Sequence, residues 1–328
     1  MSLSLVTGGS GYVGTQLAAA LLRDGQPVRA TVRVPGSEDG LRTAVRRGGA
    51  DDAGLEVVVA DLMADDGWKA AMAGCDEVYH VASPIPAAQP KDPDELVVPA
   101  REGTLRVLRA ARDAGARRVV LTSSFAAVGY TPKPGGEYTE DDWTDPDMPG
   151  LPAYPRSKTV AERAAWDLMA SDGGGTELVV VNPTFILGPT LTTGLRSSMQ
   201  LVKGMLDGTL NVVPRQRFGL ADVRDVADLH IRAMRVPAAA GQRFLGLADG
   251  PTITYLEVAE TLRRRLGPLA DRLNVQEAPG EEPPPLVIRN DRAREVLSWR
   301  PRAAETTIVE SAESLRDRGL LAAPPSSA

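Results

Sequence analysis

Tyr154 and Lys158 stand four residues apart in AYPRSK, a stretch that reads as the opening turn of a helix. At that spacing the side chains share one helix face, with Cβ atoms about 6 Å apart. A nearby ammonium favours phenolate over phenol and lowers the tyrosine pKa toward neutrality. Such a tyrosine can give a proton to a carbonyl oxygen or take one from an alcohol. Pro155 has no backbone N–H and is tolerated only in a first turn, which puts Tyr154 at the helix start. Alone, the spacing arises often by chance, and a solvated surface pair fits it as well. Thirty residues upstream, VVLTSS closes a strand-like run with Ser123 and Ser124. A serine hydroxyl there can hydrogen-bond a substrate oxygen; strand-end capping is the other role open to both.

A second constellation lies at the start of the chain, in VTGGSGYVGTQL. Gly9, Gly11 and Gly14 make G-x-G-x-x-G, while Gly8, Gly11 and Gly14 make G-x-x-G-x-x-G. In either register the glycines permit a tight turn, let backbone approach a pyrophosphate, and allow close helix–strand packing. The turn follows a strand and opens a helix, the context dinucleotide binding requires. The residue about 20 positions further on selects the cofactor, an acid reading the ribose 2′-hydroxyl and an arginine accommodating a 2′-phosphate. Here VRATVRVPGS puts Arg33 at the strand end, with no carboxylate before Glu38. Arginine's planar fork suits phosphate, so NADP(H) is favoured over NAD(H); a solvated surface arginine is the alternative.

The elements that must position these residues alternate regularly. Strand-like LSLVT (3–7), VRATV (28–32), EVVVA (56–60), EVYHVA (77–82), RRVVLTS (117–123) and ELVVVN (177–182) are apolar on both faces. Helical stretches near 13–24, 40–48, 66–73 and 94–114 separate them, and the Tyr154 helix ends near SDGGG. Strands apolar on both faces and alternating with helices predict a doubly wound α/β fold on a parallel sheet. Beyond residue 187 the rhythm loosens into helices (195–207, 222–235, 254–265) and short strand-like pieces.

Composition narrows the chemistry. The 328 residues suffice for one large or two modest domains, and a formal charge of −6 without basic blocks makes nucleic acid and membranes poor partners. MSLSLVTGG runs straight into a strand, with no signal-peptide pattern. Cys75 is the only cysteine, which points to a reducing, cytoplasmic location without disulfides. One cysteine and two histidines, His80 and His230, cannot supply a thiolate-rich or three-histidine zinc site, so no metal is expected. A Ser-His-Asp hydrolase would need one of those histidines, and no G-x-S-x-G is present. His80 and His230 read as structural and Cys75 as a packing residue.

In this order, TGGSGYVG, HVASP, LTSS, YPRSK, NPTFILGP and DVRDVA resemble the extended short-chain dehydrogenases/reductases. The chain is most similar to their dihydroflavonol reductase, cinnamoyl-CoA reductase and carbonyl reductase branch. RNDRAREVLSWRP and TIVESAESL extend the resemblance over about residues 3–320. It implies a Rossmann domain of residues 1–186 plus about 217–247. A smaller α+β substrate lobe would comprise about 187–216 plus 248–320, with a disordered tail at 321–328. By resemblance, Tyr154 is the general acid/base, Lys158 its partner and a holder of the nicotinamide ribose, and Ser124 orients the carbonyl. Gly8, Gly11, Gly14, Tyr12 and Val13 face the pyrophosphate, and Asp61 and Leu62 the adenine. Val81, Ala82 and Ser83 lie beside the nicotinamide ribose, and Pro183, Phe185, Ile186 and Ser198 flank the nicotinamide. Dihydroflavonol reductases carry a flavonoid-reading asparagine where this chain has Gly129, and the cinnamoyl-CoA reductase signature around a cysteine is absent. Family members often have a lysine just after the strand-two arginine; here SEDGLR offers Arg42.

The expected function is reversible NADPH-dependent reduction of an aldehyde or ketone by a monomer or homodimer. Phe125, Tyr130, Phe185 and Phe218 would wall a pocket for a small, fairly apolar substrate. A nucleotide-sugar epimerase or dehydratase with bound NAD remains open, with Arg196, Arg215 and Arg217 as diphosphate ligands. So does a non-catalytic NADP(H) sensor.

Overall fold

The computed structural model describes residues 2–84, 90–195 and 197–322, the Ser197 side chain excepted. Arg196 and residues 323–328 of the expected tail lie outside the described residues.

Seven strands form one sheet: β1 (Leu3–Thr7), β2 (Val28–Val32), β3 (Leu55–Val59), β4 (Cys75–His80), β5 (Arg118–Thr122), β6 (Glu177–Pro183) and β7 (Arg243–Gly246). All neighbours pair in parallel, in the spatial order β7-β6-β5-β4-β1-β2-β3. The helices between them are α1 (Tyr12–Arg23), α2 (Glu38–Arg47), α3 (Trp68–Met72), α4 (Asp94–Asp113) and α5 (Ala153–Asp172). Each lies within two residues of its expected bounds.

Successive strand residues point to opposite faces, so an unbroken apolar strand feeds two cores. Val6, Val120, Val179 and Val181 pack under α1, α2 and the helix α7 that follows at Val223–Arg235. Leu5, Val119, Leu121 and Val180 pack on the other face under α3, α4 and α5. The chain runs outward from β1 through β2 to β3, then returns to build β4 to β7 on the other side. The order therefore reverses between β1 and β4, and ligands of open α/β sheets bind beyond the carboxyl ends at that point.

Helices α6 (Ser197–Leu206), α8 (Tyr255–Leu266) and α10 (Ala304–Asp317) build a separate apolar cluster around Met199, Val202, Val258, Leu262, Ile308 and Leu315. The intervening α9 (Asp291–Leu297) packs against the main domain, where fully buried Trp299 donates to the Asp225 carbonyl at 3.1 Å. The short parallel pair Phe185–Leu187 and Leu220–Asp222 joins the two regions. No helix among the described residues is long and apolar enough to cross a membrane.

Candidate active site

The first βα turn shows why both Gly8 and Gly9 are needed. Gly8 has φ +68°, and a Cβ there would press Ala82 Cα at 3.0 Å. A Cβ on Gly9 would meet Ala30 Cβ at 2.7 Å, and one on Gly14 would overlap the Gly8 carbonyl oxygen. Only glycine lets the turn fold this tightly under α1. Gly11 precedes α1 and offers no side-chain acceptor to its first turn. The N–H groups of Tyr12 and Val13 thus stand at a helix start open to an anion. The Tyr12 hydroxyl donates to the Gly188 carbonyl at 2.6 Å, tying this turn to the 185–190 segment. The tight glycine turn and the free N–H groups at the start of α1 therefore fit the diphosphate of a dinucleotide.

Thr7, at the end of β1, organises the next strand. Its Oγ1 accepts from the N–H groups of Val81 and Ala82 at 3.1 and 3.0 Å. Its one hydrogen then goes to His80 Nδ1, 2.9 Å away. His80 is fully buried, and burial with the Lys158 charge nearby holds its pKa down to about 3. His230 bonds Thr122 Oγ1 and the Val226 carbonyl, both at 2.7 Å, and burial lowers its pKa to about 4. Both histidines are structural, as expected. Cys75 is buried and its thiol donates to the Ala71 carbonyl.

Ala82 thereby lies against Gly8, and Lys158 Nζ donates to Ser83 Oγ, one residue further on, at 3.0 Å. This bond joins the glycine turn to the Tyr154 helix. Tyr154 is the second residue of α5, Pro155 the third, and the Lys158 ammonium sits 6.0 Å from the phenol ring centre. Ser124 caps the short turn Phe125–Ala127 through its hydroxyl, which accepts from Ala126 N–H at 3.1 Å. The Ser124 hydroxyl also lies near enough to the Tyr154 phenol to draw its pKa down. The three expected catalytic residues therefore converge at one sheet edge. Their electrostatics differ from the expectation: burial raises the Tyr154 pKa, and the nearby Ser124 hydroxyl only partly counters it. Burial also lowers Lys158 to about 8, while the Glu162 carboxylate pulls it upward. Desolvation dominates the Tyr154 shift because the phenol sits out of water, where its charged form is disfavoured.

On the adenine side, Arg33 follows β2 directly, is exposed, and has no ion pair among the described residues. Arg42 cannot stand in for the family's lysine. Its guanidinium is held by Glu38 at 2.7 Å, by Asp52, and by the Leu55 carbonyl at 3.0 Å. Asp61 and Leu62 follow β3, with the Asp61 carboxylate accepting from Met63 N–H at 3.0 Å.

On the substrate side the expected residues fall into two aromatic groups. Phe185, Phe218 and Tyr255 stack with ring centres 4.6 to 6.0 Å apart. Phe125 packs edge-on to Tyr138 at 5.8 Å and against Tyr130 at 6.5 Å. Phe125 is buried behind Gly129, where any Cβ would overlap its ring. Tyr255 went unnoticed in the sequence, where it reads as an ordinary helix start. Burial raises its pKa and that of Tyr130; Tyr130 adds to the rise at Tyr255, and Tyr154 to the rise at Tyr130. Three phenols thus lie within electrostatic reach of one another. A cleft of about 460 Å³ opens beside Tyr130, between residues 129–138, 215–217 and 281–286, and its rim is charged. Arg215 pairs there with Glu277 and Glu282, and Arg217 with Glu257 and the Thr252 carbonyl. Pro183 ends β6 and Ile186 lies in the short strand after it. Ser198 lies in the first turn of α6, with no hydrogen bond to the rest of the set among the described residues.

Comparison with known proteins agrees with this architecture. Residues 4–245 match the family described as "NAD dependent epimerase/dehydratase family". Cinnamoyl-CoA reductase CAD2 of Medicago truncatula is 34% identical over 324 residues, covering 95% of each chain. Dihydroflavonol 4-reductase of Zea mays is 34% identical over 270 residues, covering 80% of this chain and 73% of its own. The crystal structure of yeast methylglyoxal/isovaleraldehyde reductase Gre2 complexed with NADPH superposes with a TM-score of 0.84 at 24% identity, covering 97% of this chain and 100% of its own. The glycine cradle, the convergent Ser124, Tyr154 and Lys158, and these matches place the chain in the NAD dependent epimerase/dehydratase family, among the extended short-chain dehydrogenases/reductases.

Proposed function

We propose that the chain is an NADPH-dependent reductase of small, fairly apolar aldehydes or ketones. The observation that carries the proposal is the bond from Lys158 to Ser83, which sets the Ser124–Tyr154–Lys158 group directly against the glycine cradle. When bound, NADPH supplies the hydride. Gly8, Gly11, Gly14 and the first-turn N–H groups of α1 would hold its diphosphate, Arg33 its 2′-phosphate, and Asp61 and Leu62 its adenine. Val81, Ala82, Ser83 and Lys158 would hold the nicotinamide ribose, with Pro183, Phe185, Ile186 and Ser198 beside the nicotinamide.

Ser124 donates to the carbonyl oxygen and orients it toward Tyr154. Tyr154 gives its phenolic proton to that oxygen as negative charge develops there. The raised phenol pKa keeps the proton on Tyr154 at neutral pH, the state a donor requires. Lys158, with a pKa near 8, is mostly an ammonium at that pH and stabilises the phenolate left behind. The aromatic groups that include Tyr130 and Phe218 would wall the substrate pocket. The charged rim limits the apolar character to the inner pocket. We assign residues 1–186 plus about 217–247 to a Rossmann domain and about 187–216 plus 248–320 to a substrate lobe, with α9 and Trp299 of the second range packed into the main-domain core. We assign the enzyme to the cytoplasm.

A nucleotide-sugar reading draws no support from Arg215 and Arg217, whose charges are already met by Glu277, Glu282 and Glu257. A sensor would have no need of the Ser124–Tyr154–Lys158 set. The test follows loss of NADPH or NADH absorbance over a panel of aryl ketones, diketones and aldehydes. Consumption of NADPH with formation of the alcohol is expected. A protein that binds NADPH and turns over nothing would sink the proposal.

A further inference from the structure

Four residues beyond Lys158 on α5, Glu162 has a fully buried side chain, yet its carboxylate serves four donors. One oxygen accepts from Ser123 Oγ at 2.5 Å and Asn182 Nδ2 at 2.7 Å. The other accepts from Arg243 Nε at 2.6 Å and Trp166 Nε1 at 3.4 Å. Ser123 follows β5, Asn182 lies in β6 and Arg243 opens β7, so one carboxylate joins three neighbouring strands to the helix that carries Tyr154. Asn182 Nδ2 also donates to the Ser124 carbonyl at 3.2 Å, which links Glu162 to Ser124 through a single amide. Arg243, in turn, lies 3.8 Å over the Trp143 ring and donates to the carbonyls of Glu140 and Asp142 at 2.7 and 2.8 Å.

A buried ion pair is a poor stabiliser, because desolvating both charges offsets their attraction. Its value lies in fixed geometry, and here the geometry ends on Ser124. We infer that Glu162 is a positioning residue, holding Ser124 through Asn182 and Lys158 through their shared helix. This inference rests on the reductase reading of the site. The groups facing Lys158 are Tyr154 and Glu162 from its own helix, His80 at the end of β4, and Ser83 three residues beyond it. Glu162 is the only carboxylate among them.

Glu162→Gln keeps the shape but turns an amide nitrogen toward donors on one side. Misplacing Ser124 by about 1 Å should lower kcat about 100-fold, with KM and the NADPH Kd within about threefold of wild type. Asn182→Ala removes the link to Ser124 and should lower kcat in the same direction. The double variant should lose little more than the larger single, because the two act in series. Glu162→Asp, which restores the charge, should recover part of kcat. An activity-independent readout is the 13Cε shift of Lys158 in protein labelled at its five lysines. Glu162→Gln should move the Lys158 titration to lower pH. Wild-type kcat in folded Glu162→Gln or Asn182→Ala would overturn the inference. If Glu162→Gln does not fold, Asn182→Ala carries the kinetic test. If the wild type reduces no carbonyl compound, the reductase reading fails separately and the Lys158 titration decides: a shift supports Glu162, an unchanged curve refutes it.

Discussion

The two sides of the cleft are built from different materials. The proposed diphosphate cradle is backbone: a left-handed Gly8, a Gly14 with no room for a methyl, and the open N–H groups of α1. That cradle comes from one continuous stretch of chain, residues 8–14. The proposed substrate side is side chain: Phe125, Tyr130, Phe185, Phe218 and Tyr255, together with paired arginines and glutamates. It is assembled from segments as far apart as residues 125 and 286. A backbone site constrains what every member of a family must bind, whereas a side-chain site is free to vary with the substrate.

The sharpest way to break this contrast is Gly14→Ala. Its new methyl overlaps the Gly8 carbonyl, and overpacking of about 1–3 kcal/mol should weaken NADPH binding roughly 100-fold by fluorescence titration. Unchanged NADPH affinity would show that the turn tolerates a side chain. Next, Arg33→Ala removes an unpaired cation and should cost about tenfold in NADPH affinity while leaving NADH unaffected. Equal losses for both cofactors would assign the arginine elsewhere. On the substrate side, Gly129→Ala forces the Phe125 ring off its rotamer, at about 0.5–1.5 kcal/mol. KM for the bulkiest carbonyl compound should rise severalfold with NADPH affinity constant, and a change confined to NADPH would contradict the separation of the two sides.

The smallest effect concerns stability. His80 and His230 are held neutral, with pKa values near 3 and 4 against an ordinary 6.5. Below pH 6.5 the unfolded chain binds protons that the folded chain refuses, so stability falls as the pH drops from 6.5 toward 4. Calorimetry should show Tm declining by a few degrees between pH 7 and pH 5, with a flatter slope for His80→Asn. A Tm independent of pH over that range would mean that His80 and His230 gain protons in the folded protein as well.

The same contrast explains what could be read from the sequence. The strands were legible because apolar runs alternate with helices, and the glycine turn because its requirements are local. Ser124, Tyr154 and Lys158 emerged only together, since each alone is ordinary. Glu162 was hidden because an acid on a helix reads as solvated. Its burial depends on Arg243, 81 residues away. Tyr255 was hidden likewise, its partners Phe185 and Phe218 lying in other segments. Arg42 looked free until the fold brought Asp52 and the Leu55 carbonyl to it. Burial, set by the tertiary structure, likewise reversed the expected sign of the Tyr154 shift.

The measurement that tests the central claim most directly is NADPH consumption by Tyr154→Phe beside the wild type, with NADPH binding followed in both. Loss of the phenolic proton should lower kcat about 10³-fold while the NADPH Kd stays within a factor of about three. A Tyr154→Phe enzyme that turns over at the wild-type rate would show that the proton comes from elsewhere and that the site has been assigned wrongly.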